Sequence, residues 1–275
     1  IFLRFYKLSE YMTFLGDEGR DAIVIKNMLV INHFPLVGPP TSVGNIYLGP
    51  LYYYMMALPM AIFWLNPAAA AGMNALIGVL TVALIYYLGK VWFNRSAGLI
   101  ASFLYAISPV TIIYSRSSWN PNPASFFALI SICSLYKLHR SGNFLWLILT
   151  GLAAGAALQM HYLAAILIPV LGLIWLYEVI YRKSKSLISK RLIAGSLLGI
   201  FSFLAIMSPL IWFDLRHSFL NYRAITELFT SGSAVKVDIF ANILKIPALF
   251  SKNLIGRYIA GENFYLIILI SLLVI

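Results

Sequence analysis

Apolar residues in this chain gather into long runs separated by short polar breaks. The runs Leu51–Leu65, Ala68–Phe93, Gly98–Tyr114, Ala124–Leu138, Phe144–Met160, Tyr162–Tyr181, Leu192–Phe213 and Phe264–Ile275 each predict a helix suited to a bilayer. Ile1–Tyr6 reads as the outer end of a further helix. The last run stops without a flank, and neither an initiator Met nor a signal-peptide pattern is present, so the chain reads as a fragment. Two stretches break the pattern. Residues 17–47 are too polar to span; within them Asp21–Val30 has the spacing of a surface-lying amphipathic helix, and Gly38–Gly44 is a turn-rich loop. Residues 221–261 are of mixed polarity and predict interfacial helices.

Composition agrees with this reading. Apolar residues make up 61% of the chain and charged residues 11%, with a mean hydropathy of +0.86. A soluble domain carries about 25% charged residues. The fold class is therefore all-α, a polytopic transmembrane helix bundle, with residues 1–275 as a single transmembrane domain. Its first outer loop covers about 7–46 and a second outer interfacial region about 214–263.

The net charge of +11 does not point to nucleic acid, because most basic residues flank apolar runs, as the positive-inside rule expects. Cys133 is the single cysteine and offers neither a disulfide nor a metal cluster. The sequence carries no nucleotide-binding fingerprint and no zinc-ligand pair.

Basic loops also orient the chain. Arg182–Lys185 with Lys190 and Arg191 is placed in the cytoplasm. Counting helices from there sets Trp119–Pro123, Gln159–Tyr162 and Asp214–His217 on the outer face. The same count puts residues 17–21 inside if both intervening apolar runs cross. Either one run does not cross or one helix–helix turn is misplaced. The first is favoured, because Leu51–Leu65 has only 15 residues and an internal Pro59.

Candidate chemistry starts with acids. The chain has 9 acidic residues, and Asp17, Glu18 and Asp21 fall within five positions. Ionised groups beside a bilayer are costly, so such a knot reads as a site. The alternative is that Asp17 or Glu18 caps the following helix. Asp21 reads as a cap or as a partner of Arg20. Tyr52, Tyr53 and Tyr54 are expected in an aromatic belt, and His33 and His139 on the surface.

The Asp17-Glu18 pair, the surface helix, the Pro-rich loop leading into Tyr47–Tyr54, and the stretches Ser118–Pro123, Gln159–Tyr162 and Phe213–His217 resemble the GT-C superfamily. It includes protein O-mannosyltransferases and aminoarabinose transferases, with a family-39-like branch. The resemblance implies a glycosyltransferase (a hexosyl- or pentosyltransferase) in the plasma membrane with its site facing outside. The donor would be a polyprenyl-phosphate-linked sugar and the acceptor a lipid, a glycan or a protein; membrane lipids are the other partners. The family's loop aspartate falls on Asp17, the expected general base for an acceptor hydroxyl. Glu18 would orient the acceptor or, where the family member uses one, help Asp17 hold a divalent cation. Growing charge on the phosphate calls for fixed cations, for which Arg216, His217, His161 and Arg20 are the candidates, with Asp214 holding Arg216; the alternatives are a headgroup anchor for Arg216 and a hydrogen-bonded core histidine for His161. Trp119, Asn120 and Gln159, with Arg116 nearby, are expected around sugar or acceptor, with an interfacial anchor as the equal alternative for Trp119. The competing classes are a multi-pass transporter or lipid-linked-sugar flippase, and a non-catalytic envelope subunit. Polar residues gather at helix ends on one face, which favours surface chemistry over translocation.

Overall fold

The computed structural model describes residues 1–42, 46–184, 190–230, 239–259 and 263–274. In chain order the helices are α1 (Phe2–Phe5), α2 (Leu8–Tyr11), α3 (Gly16–Ile31), α4 (Leu51–Ile62), α5 (Pro67–Trp92), α6 (Arg95–Ile107) and α7 (Pro109–Ser115). They continue with α8 (Ala124–Ser141), α9 (Trp146–Met160), α10 (Leu167–Ser184, entered through a tight turn at Tyr162–Ile166), α11 (Lys190–Arg216), α12 (Leu220–Thr230), α13 (Ile239–Leu249) and α14 (Phe264–Val274). A wide helical stretch, Phe250–Ile259, joins α13 towards α14. Residues 43–45, part of the expected turn-rich loop, and 185–189, part of the basic loop, lie outside the described residues, as do 231–238, 260–262 and 275.

The apolar runs become helices with recognisable ends. Asn66 caps α5 by accepting from the Ala68 N–H at 2.9 Å, with Pro67 in the first turn where its missing N–H costs nothing. Asn94 caps α6 in the same way through Ala97. Gly142 ends α8 at φ +67°, a left-handed conformation that favours glycine. Pro67–Trp92, Tyr162–Ser184 and Lys190–Arg216 are each long and apolar enough to cross a membrane, and this is a multi-pass membrane protein. Helices α8 and α9 pack among them. Glycines on α9 and α11 let those two backbones approach: a methyl on Gly151 would meet the Gly199 carbonyl, and Ser202 donates across to the Ile148 carbonyl at 2.9 Å.

The run expected as one span over Gly98–Tyr114 is two helices, α6 and α7, bent by 63°. Pro109 cannot donate to the α6 ladder, and Ser108 before it takes an extended ψ of 121°. The carbonyls freed at the bend are taken up by Arg4 of α1, which is 2% exposed. Its guanidinium donates to Ala106 O at 3.0 Å, to Tyr105 O at 3.3 Å and to Thr111 Oγ1 at 3.3 Å.

Helix α4 does not cross. It has 12 residues, or about 18 Å at 1.5 Å per residue, against about 30 Å of hydrocarbon. Both of its ends lie at one end of the bundle. The Leu51 N–H donates to Gln159 Oε1 at the end of α9, while Met60 and Pro67 share a narrow void with Asp21. The conflict in the helix count is thereby removed, since one of the two intervening runs lies along the bundle end. The expected aromatic belt is also corrected. Tyr52 and Tyr53 are buried, and Tyr52 donates to the Ser118 carbonyl, while Tyr53 lies 3.4 Å from Asp21 Oδ1 and Tyr54 donates to Pro35 O at 2.9 Å.

The opposite end of the bundle holds a second polar group. His139 Nδ1 lies 2.7 Å from Glu178 Oε2, and Arg182 Nε donates to Glu178 Oε1 at 2.5 Å and through a second nitrogen to Leu138 O at 3.1 Å. His139, expected on the surface, is half-buried and tied to a buried carboxylate; His33 is exposed, as expected.

Candidate functional site

Helix α3 forms over Gly16–Ile31 and buries Glu18, Asp21, Ile25 and Met28, the i, i+3, i+7, i+10 face, against α4. That face splits the acidic knot into three environments. Glu18 is 4% exposed; its Oε2 accepts the Leu15 N–H at 3.0 Å and its Oε1 accepts the Ser117 hydroxyl at 2.5 Å. It caps its own helix and holds it to the loop before α8. Asp21 is 2% exposed, and burial pushes its carboxyl up to about 6 against the opposing charge of Arg20. Asp17 faces outward, with its side chain 52% exposed. Its Oδ1 accepts from Arg20 at 2.9 Å and its Oδ2 from the Trp119 indole at 3.2 Å. Arg20 forks between Asp17 and Asp21, donating to the latter from Nε at 2.9 Å and from its second terminal nitrogen at 2.8 Å. Two carboxylates therefore offset its charge, which makes it a poor grip for a phosphate.

Trp119 also lines a cavity of about 580 Å³ bounded by α5, α7, α8 and the turn after α9. Its ring stacks on Tyr114 at 6.1 Å. Asn74, Asn122, His161 and Arg257 contribute the other polar walls that bear on its chemistry. The His161 Nδ1 accepts the Leu163 N–H at 3.2 Å and burial pushes its imidazole down, so it offers one neutral N–H rather than a fixed cation. Asn74 is 2% exposed; its Nδ2 donates to Ser117 O at 2.6 Å, and its Oδ1 has no partner. An unsatisfied buried oxygen of this kind costs about 1–3 kcal/mol.

Several expected site residues are engaged in hydrogen bonds within the fold. Gln159 is 1% exposed, and its amide is occupied at both ends, accepting from Leu51 N and donating to Ile206 O at 2.6 Å. Asn120, 6% exposed, donates to Met160 O at 2.8 Å and ties the Trp119 loop to the end of α9. Arg116 donates to Tyr6 O at 2.5 Å and covers the Tyr11 ring. Asp214 does not hold Arg216: its two oxygens accept the Asn221 N–H at 2.7 Å and the Tyr222 N–H at 3.2 Å. Arg216 and His217 are exposed at the end of α11 and do not line the cavity; the His217 ring stacks on Phe213 at 4.0 Å.

Asn74 and Arg257 were missed by the sequence reading. Asn74 had a signal, an amide inside an apolar run, which hydrocarbon tolerates only with a partner. Arg257 had none, because it sits in a stretch of mixed polarity.

Comparison with known proteins identifies the family. Residues 48–213, more than half of the chain, match the profile of the family described as dolichyl-phosphate-mannose-protein mannosyltransferase. YkcB of Bacillus subtilis, named as a candidate mannosyltransferase, is 30% identical over 144 residues, covering 51% of this chain and 20% of YkcB. An uncharacterized protein of Aquifex aeolicus is 28% identical over 203 residues, covering 72% and 39% respectively. The crystal structure of ArnT from Cupriavidus metallidurans bound to undecaprenyl phosphate shares the fold with a TM-score of 0.58 at 19% identity, over 80% of this chain and 41% of that one. The chain thus spans less than half the length of these relatives. The profile match includes Asn74, Trp119 and His161 and begins after Asp17.

Proposed function

Since the chain belongs to the dolichyl-phosphate-mannose-protein mannosyltransferase family, a GT-C membrane glycosyltransferase fold, we propose that it moves a sugar from a polyprenyl-phosphate donor to an acceptor hydroxyl. One observation carries the reading. The half-exposed carboxylate of Asp17 hydrogen-bonds the indole that walls the 580 Å³ cavity. The cavity holds the transferred sugar, with the Trp119–Tyr114 pair offering an aromatic face. Asp17 takes the proton of the acceptor hydroxyl as that oxygen attacks the anomeric carbon. The bond from that carbon to the phosphate oxygen breaks, its electrons leave with the polyprenyl phosphate, and the anomeric centre inverts. Among the described residues Arg257 is the cation lining the cavity, and it offsets the charge that grows on the phosphate. The site faces the outer side of the plasma membrane, following the basic loops.

The donor set does not fit a resident divalent cation. Arg20, Trp119, Leu15 and Ser117 already donate to the four oxygens of Asp17 and Glu18. Among the described residues, no group of three His, Cys, Asp or Glu side chains converges. No step of the reaction is therefore routed through a metal.

The test incubates the purified full-length protein with labelled polyprenyl-phosphate sugars and analyses the product. Transfer with inversion is expected, falling about 10²–10⁴-fold in Asp17→Asn while donor binding persists. Near-normal transfer by Asp17→Asn would remove Asp17 as the base.

A further inference from the structure

Asp17 and Asp21 stand one turn apart on α3, and a single guanidinium joins them. Arg20 gives its Nε and one terminal nitrogen to Asp21 Oδ1, at 2.9 and 2.8 Å, and its other terminal nitrogen to Asp17 Oδ1 at 2.9 Å. The two acids differ in their surroundings. Asp21 is buried, whereas Asp17 is half-exposed and meets the cavity wall through Trp119. From α4, Tyr53 places its hydroxyl 3.4 Å from Asp21 Oδ1, and Tyr52 shares the narrow void beside Asp21. Burial pushes both phenols up, so they stay neutral. Pro67 and Ala70 of α5 and Ser118 of the loop before α8 complete that void, and Glu18 is engaged with Leu15 and Ser117. The charge that Asp21 answers is therefore that of Arg20.

We propose that Asp21 is a positioning residue for sugar transfer: it anchors Arg20 and offsets its charge, so that Arg20 holds the Asp17 carboxylate beside Trp119 without suppressing it as a base. Each half of this role has a physical reason. Two bonds to one buried oxygen fix the plane of the guanidinium, and its remaining terminal nitrogen is then aimed at Asp17. A carboxylate beside an uncompensated guanidinium gives up basicity, because the cation favours its charged form. Paired with Asp21, Arg20 presents little net charge to Asp17. Burial raises the Asp21 carboxyl to about 6, so the offset is in place at neutral pH and fades as Asp21 takes up a proton.

The proposal rests on the glycosyltransferase reading with Asp17 as the base, and its test keeps the two apart. Asp21→Asn keeps an oxygen for both Arg20 bonds, puts its new amide nitrogen where the unpartnered Oδ2 lay, and removes the charge. Transfer from a labelled polyprenyl-phosphate sugar by the purified full-length protein is followed across about pH 5–9, with melting measured alongside. At neutral pH kcat should fall about 3–10-fold in Asp21→Asn, while KM for the donor stays within about twofold. The acid limb of the profile should move down by about 0.5–1 pH unit. A purely structural role would lower the melting temperature and leave the acid limb where it was. Arg20→Gln removes the charge to be offset, so in that background Asp21→Asn should change kcat by less than about twofold. A normal kcat and pH profile in Asp21→Asn, or a loss that persists undiminished in the Arg20→Gln background, would overturn the inference and leave Asp17 as the base. Near-normal transfer by Asp17→Asn, or no transfer of any such sugar by the wild type, would overturn both.

Discussion

Glu18 and Asp17 are adjacent carboxylates, and the structure assigns them opposite sensitivities. Glu18→Gln keeps the shape of the side chain but replaces one acceptor oxygen with a donor. One oxygen still accepts the Leu15 N–H, and the new amide can donate to the Ser117 hydroxyl once that hydroxyl rotates. What is lost is the charge in two charge-assisted hydrogen bonds, of 3.0 and 2.5 Å, at a side chain 4% exposed. Such bonds are worth about 1.5–3 kcal/mol each and neutral ones about 0.5–1.5, so the change costs about 2–3 kcal/mol. Glu18→Ala leaves a buried hydroxyl and an N–H without partners and should cost about 3–5 kcal/mol. Both variants should lower the melting temperature of the detergent-solubilised protein, and the fraction of Glu18→Gln that remains folded should transfer sugar within about threefold of normal. Asp17→Asn should do the reverse, because its ion pair with Arg20 is solvent-exposed and worth about 0–1 kcal/mol. Melting is followed by tryptophan fluorescence, and transfer is counted per folded molecule. A Glu18→Gln protein that melts normally but does not transfer would refute this division and return Glu18 to the reaction centre.

Arg257→Gln should weaken donor binding about 10–100-fold, whereas Arg216→Gln should change it by about twofold or less; titration with a polyprenyl-phosphate sugar distinguishes them. Asp21 has a folded-state pKa of about 6, raised from 3.8, so the stability it contributes is fully present below about pH 3.8 and lost as pH rises through about 6. The shift corresponds to about 3 kcal/mol, so wild type should lose stability relative to Asp21→Asn across that window, and parallel melting curves from pH 4 to 7 would count against the burial argument. Cysteines at Gly16 and Ser218, in a Cys133→Ser background, should react with an impermeant thiol reagent from outside, and one at Ser141 only after permeabilisation. Labelling of all three from one side would refute the shared-face arrangement.

Most of the fold could be read from the sequence because apolar runs in a bilayer have few alternatives to helix. Five of the expected runs, Ala68–Phe93, Ala124–Leu138, Phe144–Met160, Tyr162–Tyr181 and Leu192–Phe213, overlie α5 and α8 to α11 closely. The bend at Ser108–Pro109 carried a visible proline but was averaged away by the hydropathy of the run around it. The site was harder to read. Residue type placed Asp17, Trp119 and His161 near chemistry, and they do converge on one end of the bundle. Yet Gln159, Asn120 and Arg116, chosen for the same polar character, make tertiary hydrogen bonds to Leu51, Ile206, Met160 and Tyr6. A side chain's partner over 40 to 110 residues of separation is set by packing, which a linear pattern does not encode. His139 and the three tyrosines were misread for the same reason.

The Arg4 bracket at the bend bears on how the protein is made. The carbonyls and hydroxyl that Arg4 holds lie 101 to 107 residues downstream, and Tyr105 and Thr111 among them form the cavity wall. During synthesis the segment carrying Arg4 reaches the bilayer before α6 and α7 and must wait, with an uncompensated charge, until they arrive. Closing that long loop is entropically slow compared with forming any single helix. Nascent chains stopped before residue 111 should therefore hold inserted helices without a finished cavity wall. Replacing Arg4 with an apolar residue would ease the early wait while leaving the α6 carbonyls bare in the mature protein.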